Sequence, residues 1–270
     1  MRIGLALGGG GARGLAHIPI LEVLDELEVR PTLISGTSIG AVVGSLYAAG
    51  MSAAEIRSRF AEVIPSGPDQ SFVDHSMSWF KMARIQWGEG LLNVDRFLEA
   101  LFEDVESQQF QDLSIPLKVV TADFWNREQV VIETGQLIEA VRASMALPGI
   151  FRAETRGDQI LVDGGCVNPV PFDLLHDCDV TIGVDVLGDR EAEPGETPNL
   201  LEAMFQTYQI MEESIMRGKL THTPPSIFVS PEISGIRMLD FHKAHSVFQQ
   251  SETSRDQLRQ ELSALMARVG

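Results

Sequence analysis

"ISGTSIG", Ile34 to Gly40, sets Ser38 between glycines at 36 and 40. An apolar run, Thr32–Ser35, comes directly before it, and a second, Ser38–Ala49, carries on from it. Gly36-Thr37-Ser38-Ile39-Gly40 fits G-x-S-x-G, in which a serine occupies a strained strand-to-helix turn. The glycines two places either side keep strand and helix from colliding. An N-capping serine with incidental glycines would read the same in isolation. Position favours the elbow, because a strand is expected before Ser38 and a helix after it.

The opening residues repeat the junction. "LALGGGGARG", Leu5 to Gly14, places four glycines between an apolar run and a helical pattern. Gly9-Gly10-Gly11-Ala12-Arg13-Gly14 matches GxGxxG, yet the acidic residue that a dinucleotide ribose needs is missing from the tip of the second strand. No Lys-Ser/Thr ending follows, so it is not a P-loop. What remains is a row of backbone N–H groups at a helix N-terminus, suited to an anion or a developing oxyanion.

Serine needs a base to become a nucleophile. The α/β-hydrolase order, Ser then acid then His, sits badly here, since only one helix and one strand fit between Gly14 and Ser38. His17, His75, His176, His222, His242 and His245 all read as structural or solvated. "ILVDGG", Ile160 to Gly165, offers a different base: Asp163 ends an apolar strand, and desolvation there raises a carboxyl's proton affinity. A plain Asp-Gly turn is the competing reading.

The rest of the pattern alternates. Strands are expected at Arg2–Leu7, Leu117–Phe124, Gln129–Glu133, Ile160–Val162, Val180–Val186 and 226–230. Helices are expected at Leu15–Leu27, Val94–Phe102 and Leu137–Ser144, with a capping box at Ser52–Glu55 opening another. Such alternation implies parallel pairing with right-handed crossovers. Leu201, Met204, Tyr208, Met211 and Ile215 form a helical stripe expected to face the core. Residues 65–92 break the rhythm while carrying Met77, Trp79, Phe80 and Met82. "LGDREAEPGETPN" is expected to be a solvated acidic loop.

The chain has 270 residues and a formal net charge of −17. That charge excludes nucleic acid as a partner and disfavours standing attachment to anionic lipid. Cys166 and Cys178 show no CxxC or metal spacing, so buried, reduced thiols are expected and no metal or cofactor is called for. The 13-residue run "IGAVVGSLYAAGM" is too short to span a bilayer. "MRIGLALGGGG" does not read as a signal peptide. No linker appears, and a single domain is expected over 1–270, with residues 65–92 as a lid or acyl-contact insert. The cytoplasm, with peripheral contact at a membrane, is the expected location.

Taken in order, "GGGARG", "GTSIG" and "DGG" resemble the patatin-like phospholipases, specifically the compact bacterial members. "ASMALPGIF" at 143–151, "NPVP" at 168–171 and "LDF" near 240 extend the likeness over nearly the whole chain. The resemblance implies a three-layer α/β/α fold with a mainly parallel sheet. It implies a Ser–Asp dyad without histidine: Ser38 as nucleophile and Asp163 as base, with the amides of Gly9, Gly10 and Gly11 as oxyanion hole. Arg13 is expected to position the loop, and Gly14, Gly36, Gly40, Gly164 and Gly165 to permit the close approaches. Independently of the resemblance, the apolar load of residues 65–92 leaves two readings: Met77, Trp79, Phe80 and Met82 cover the Ser38 cleft and contact acyl chains or the lipid surface, or these side chains pack down as a small satellite core. The implied activity is serine-dependent hydrolysis of lipid acyl esters, through an acyl-enzyme and in transient contact with a membrane. Pro19 departs from the first helix pattern and is expected to kink or delay that helix. A catalytically idle lipid- or protein-binding member, and a His-dependent α/β-hydrolase esterase, remain as alternatives.

Overall fold

A computed structural model describes residues 1–64, 94–188 and 200–269. The apolar runs become the strands of one eight-stranded sheet: β1 (Ile3–Leu7), β2 (Leu33–Thr37), β3 (Leu117–Asp123), β4 (Glu128–Ile132), β5 (Glu154–Arg156), β6 (Gln159–Asp163), β7 (Val180–Val184) and β8 (Ile227–Val229). Their order across the sheet is β5-β6-β3-β2-β1-β7-β8, with β4 paired to β3. The centre is parallel: β2 and β7 flank β1, β3 follows β2, and β8 follows β7. β4, β5 and β6 pair antiparallel at one side. Helices cover both faces, which gives the expected three-layer α/β/α architecture.

Buried parallel strands are apolar throughout, and β1 is buried at all five positions. The helices that cover them are α1 (His17–Glu26), α2 (Ile39–Ala48), α3 (Ala53–Val63), α4 (Asp95–Leu101), α5 (Leu137–Ser144), α6 (Leu200–His222), α7 (Ala244–Gln250) and α8 (Glu252–Val269). The capping box forms as read, with Ser52 and Glu55 satisfying each other's backbone amides. Pro19 delays the first α-helix: Gly11–Ala16 is a 3-10 turn, and α1 begins at His17. Pro19 then falls in the first turn, where a missing N–H costs nothing.

Two expectations need correction. The stripe on α6 is not a core stripe, because Met204 and Met211 are 46% and 47% exposed. The buried side of that helix carries Glu212 and Met216 instead. Cys166 and Cys178 are free thiols but only partly buried, Cys166 closing the 3-10 turn that follows β6 and Cys178 lying just before β7. β5 was not expected; "ETR" is short and polar, as an edge strand can be. Residues 65–93 and 189–199 lie outside the described residues, and with them Met77, Trp79, Phe80, Met82 and most of the acidic loop. Among the described residues no helix is long and apolar enough to cross a membrane.

Candidate active site

Parallel strands deliver their C-terminal ends to one edge of the sheet, where ligands usually bind. Ser38 lies there between β2 and α2 with φ 54° and ψ −125°. A non-glycine residue in that region is strained by about 1–3 kcal/mol and persists only when its surroundings hold it. The surroundings do so closely. A Cβ at Gly36 would lie 2.7 Å from the Ala41 Cα, and one at Gly40 would lie 2.1 Å from the Leu7 carbonyl. The Ser38 amide donates to the Ser144 hydroxyl (2.8 Å), which donates in turn to the Val120 carbonyl (2.7 Å).

The glycine loop leaves β1 alongside. Its amides do not all face the same way. Gly8 donates to Val184 (2.9 Å), Gly9 to Pro169 (3.0 Å) and Ala12 to Met238 (2.7 Å). The amides of Gly10 and Gly11 have no backbone acceptor among the described residues. The expectation for the loop therefore narrows, because the Gly9 N–H is already committed to Pro169. Gly11 has φ 58°, and a Cβ there would meet the Met238 carbonyl at 2.3 Å. His17 is wholly buried, and its Nε2–H donates to the Gly8 carbonyl (2.8 Å). Burial lowers its pKa to about 4, so the ring is neutral and structural. Arg13 is buried below the loop, packed on Gly188, with Glu212 and Asp185 as its charged neighbours.

Asp163 ends β6 and is 3% exposed. Its Oδ1 accepts the Gly165 amide (2.8 Å) and the Tyr208 hydroxyl (3.3 Å). Burial pushes the carboxyl up to about 6, while the Ser38 hydroxyl, the Gly165 amide and Tyr208 act in the other direction. The Asp-Gly turn and the buried carboxyl, read from sequence as competitors, are both present. Gly164 lets the chain pass against the Val120 carbonyl, where a Cβ would sit 2.4 Å away. Gly14 is similarly close to Ile39, whose side chain takes the space of a Cβ (2.2 Å).

One cleft brings these parts together. Gly9, Gly10, Gly11, Ser38 and Asp163 line it with Tyr208 and Glu212, and Met145, Leu147, Phe151 and Phe241 supply apolar walls. An apolar groove adjoins it through Leu147 and Tyr208 and runs along Met204, Phe205 and Met211. No described histidine lines the cleft. His176, His222, His242 and His245 are exposed, and His75 lies outside the described residues.

The patatin-like phospholipase family model matches residues 5–176, which hold the glycine loop, the elbow and the Asp163 turn. The chain belongs to the patatin-like phospholipase family. An NTE family protein of Mycobacterium tuberculosis is 32% identical over 227 residues, 81% of this chain and 60% of that protein. Human patatin-like phospholipase domain-containing protein 6 is 33% identical over 195 residues, 71% of this chain and 14% of that protein. The chain thus spans 60% of the first of these relatives and 14% of the second, less than two thirds of either. Among solved structures, VipD from Legionella pneumophila aligns over 94% of this chain and 66% of its own, with 14% identity and a TM-score of 0.48. Family membership supports lipid acyl hydrolysis as the general class of activity.

In this patatin-like chain several residues that hold the site carry no signal of that part in the sequence. "NPVP" works through its carbonyls: Asn168 accepts from Thr37 (2.8 Å), Pro169 from Gly9 and Pro171 from Ser35 (2.9 Å). It stitches the elbow strand to the glycine loop. Ser144 lay inside the quoted "ASMALPGIF" without a role. Tyr208 reads from the sequence as part of a core stripe, and Glu212 belongs to no motif. A polar residue one turn beyond Tyr208 on the same helix face was the available signal.

Proposed function

We propose that the chain is a serine lipid acyl hydrolase in which Ser38 is the nucleophile and Asp163 the general base. The observation that carries this reading is a strained serine in contact with a buried carboxylate, at a cleft where two glycine amides have no backbone acceptor among the described residues. Asp163 takes the Ser38 proton as Oγ attacks the ester carbonyl. The carbonyl π electrons move to oxygen, and the Gly10 and Gly11 amides face that oxyanion; one well-aimed donor is worth about 3–4 kcal/mol. On collapse the C–O bond to the alcohol breaks, and Asp163 returns the proton to the leaving oxygen. Water, deprotonated by Asp163, then attacks the acyl-serine, and Ser38 leaves with the proton restored.

Acyl chains fit the groove beside the cleft, where Met204 and Met211 supply flexible apolar walls. Contact with a lipid surface is assigned to apolar side chains near that rim. β3 runs parallel to β2, and Thr121 pairs with Asp163, so the turn after β3 projects beyond Asp163 at the same sheet edge. That turn carries Phe124 and Trp125, stacked edge to face at 4.9 Å and 49% and 74% exposed. A chain of net charge −17 gains nothing from anionic lipid, so this contact is apolar and resists salt. The His-dependent alternative lacks a histidine beside Ser38 among the described residues.

The decisive experiment is labelling by a fluorophosphonate together with turnover of a soluble short-chain ester. Ser38→Ala is expected to abolish both in a folded protein, and Asp163→Asn to abolish turnover. A protein that neither labels nor turns over any acyl ester is the idle, binding member of the family instead.

A further inference from the structure

Helix α6 turns Tyr208 and Glu212, one helical turn apart, toward Asp163. Three oxygens converge over Gly165: a Cβ placed there would lie 2.3 Å from Glu212 Oε1, 2.8 Å from Tyr208 Oη and 3.1 Å from Asp163 Oδ1. The same Glu212 oxygen is 3.9 Å from the Cβ position of Gly9, on the side that faces Ser38. Glu212 is 4% exposed. The other titratable groups facing the cluster are Arg13 below the glycine loop, Asp185 after β7 and Cys166 after Asp163.

Glu212 and Asp185 face the one guanidinium of Arg13 with Asp163 beside Glu212, and the three carboxyls are not equally provided for. Asp163 receives the Gly165 amide and the Tyr208 hydroxyl. Asp185 receives the Leu187 amide (3.0 Å) and faces Arg13. Glu212 receives no hydrogen bond from a described residue. A buried carboxylate without donors is costly, so Glu212 is the carboxyl of the three that gains most from holding a proton. Burial and the two aspartates hold its carboxyl well above the usual range. The same surroundings hold the Tyr208 phenol well above its ordinary value, so it remains a donor.

We propose that Tyr208 is a positioning residue for Asp163, holding Oδ1 so that Oδ2 is presented to Ser38, and that Glu212 beside it stays undissociated while the site works. This rests on the reading of Ser38 and Asp163 given above. A donor to a carboxylate favours its charged form. Removing the Tyr208 hydroxyl therefore makes Asp163 ionise at higher pH and leaves it less well aimed. Replacing an undissociated Glu212 by its neutral isostere changes neither.

The test is the pH dependence of kcat and kcat/KM on a soluble butyrate ester, with melting temperatures recorded for each variant. For Tyr208→Phe the acid limb is expected to move up by about half to one pH unit, with kcat down about three- to tenfold and KM nearly unchanged. For Glu212→Gln the limb stays where it is in the wild type. An unmoved limb and full kcat in Tyr208→Phe overturn the positioning role. A limb that moves down by more than about half a unit in Glu212→Gln overturns the undissociated state, because removing a neighbouring negative charge has that sign. Should Tyr208→Phe melt too low to assay, the pH dependence of fluorophosphonate labelling of Ser38 at low temperature replaces turnover. An inactive wild type, or an active Asp163→Asn, overturns the dyad itself and is distinct from either result.

Discussion

The Ser144 hydroxyl ties Ser38 to β3, accepting the Ser38 amide at 2.8 Å and donating to the Val120 carbonyl at 2.7 Å. Both bonds are local to a fully buried side chain, so no water stands in when it is lost. Ser144 thus holds the backbone of the strained residue from below while the glycines leave room for it above.

Ser144→Ala is expected to leave the Ser38 amide unpaired, at a cost of about 1–3 kcal/mol. Because the missing bond belongs to the elbow itself, turnover of a short ester should fall by about tenfold or more. Thermal melting and steady-state kinetics on the same preparation check both. Unchanged turnover with a lowered melting temperature would show that Ser144 supports the fold alone.

The glycines make a paired prediction. Gly40→Ala would bring a methyl within 2.1 Å of the Leu7 carbonyl, which belongs to the central strand and cannot yield cheaply. The variant should fail to accumulate as folded protein. Gly218 lies inside α6 with nothing within 4 Å of its Cβ position. Gly218→Ala should stabilise the protein by up to about 1 kcal/mol, through helix propensity. Expression yield and melting temperature measured side by side decide the pair.

Much of this was legible because it is local. The strand before Ser38, the helix after it, the capping box at Ser52 and the apolar end of β6 each follow from neighbours a few residues apart. What stayed hidden acts over long sequence separations or through the backbone. Nothing at Pro169 announces that its carbonyl takes the Gly9 amide, and a glycine motif cannot say which of its N–H groups remain free. The periodic Met204, Tyr208 and Met211 gave a helix correctly but not the direction it faces. Periodicity marks an apolar side; a groove beside a cleft can hold it as well as a core can. His17 read as structural, and its bond to the Gly8 carbonyl supplies the reason.

Asp163 links activity to stability with opposite signs. Its ordinary value is 3.8, and in the folded protein it titrates at about 6. Between those values the folded state binds more protons than the unfolded state, so this group's contribution to stability falls as pH rises. Near neutral pH the ionised carboxylate costs about 1–3 kcal/mol. Asp163→Asn should therefore melt higher than the wild type at pH 7.5, and the advantage should vanish near pH 4. The wild type should gain activity as pH rises through about 6, where the base becomes ionised. Melting curves at the two pH values test the linkage independently of any substrate; a variant that melts lower at pH 7.5 would contradict it.

If the proposed rim meets lipid, substitutions in it should separate lipid from soluble substrate. Phe124 and Trp125 pack edge to face at the turn after β3, and Met204 and Met211 border the groove beside Tyr208. None of these side chains lines the cleft that holds Ser38 and Asp163. Replacing Phe124 and Trp125 by alanine should leave turnover of a soluble short ester within about twofold, since exposed changes away from the site have small effects. On phosphatidylcholine vesicles the same variant should lose about tenfold or more, because each aromatic ring withdrawn from a lipid surface forfeits on the order of 1–2 kcal/mol of apolar burial. The loss should persist at 0.5 M salt, about fivefold above the concentration at which exposed charges are largely screened. Met204→Ser with Met211→Ser should instead discriminate by chain length, with butyrate esters unaffected and long-chain esters slowed even when presented in detergent. Equal losses on soluble and vesicular substrates, in either double variant, would place these residues in the support of the fold and remove the rim from the account of lipid contact.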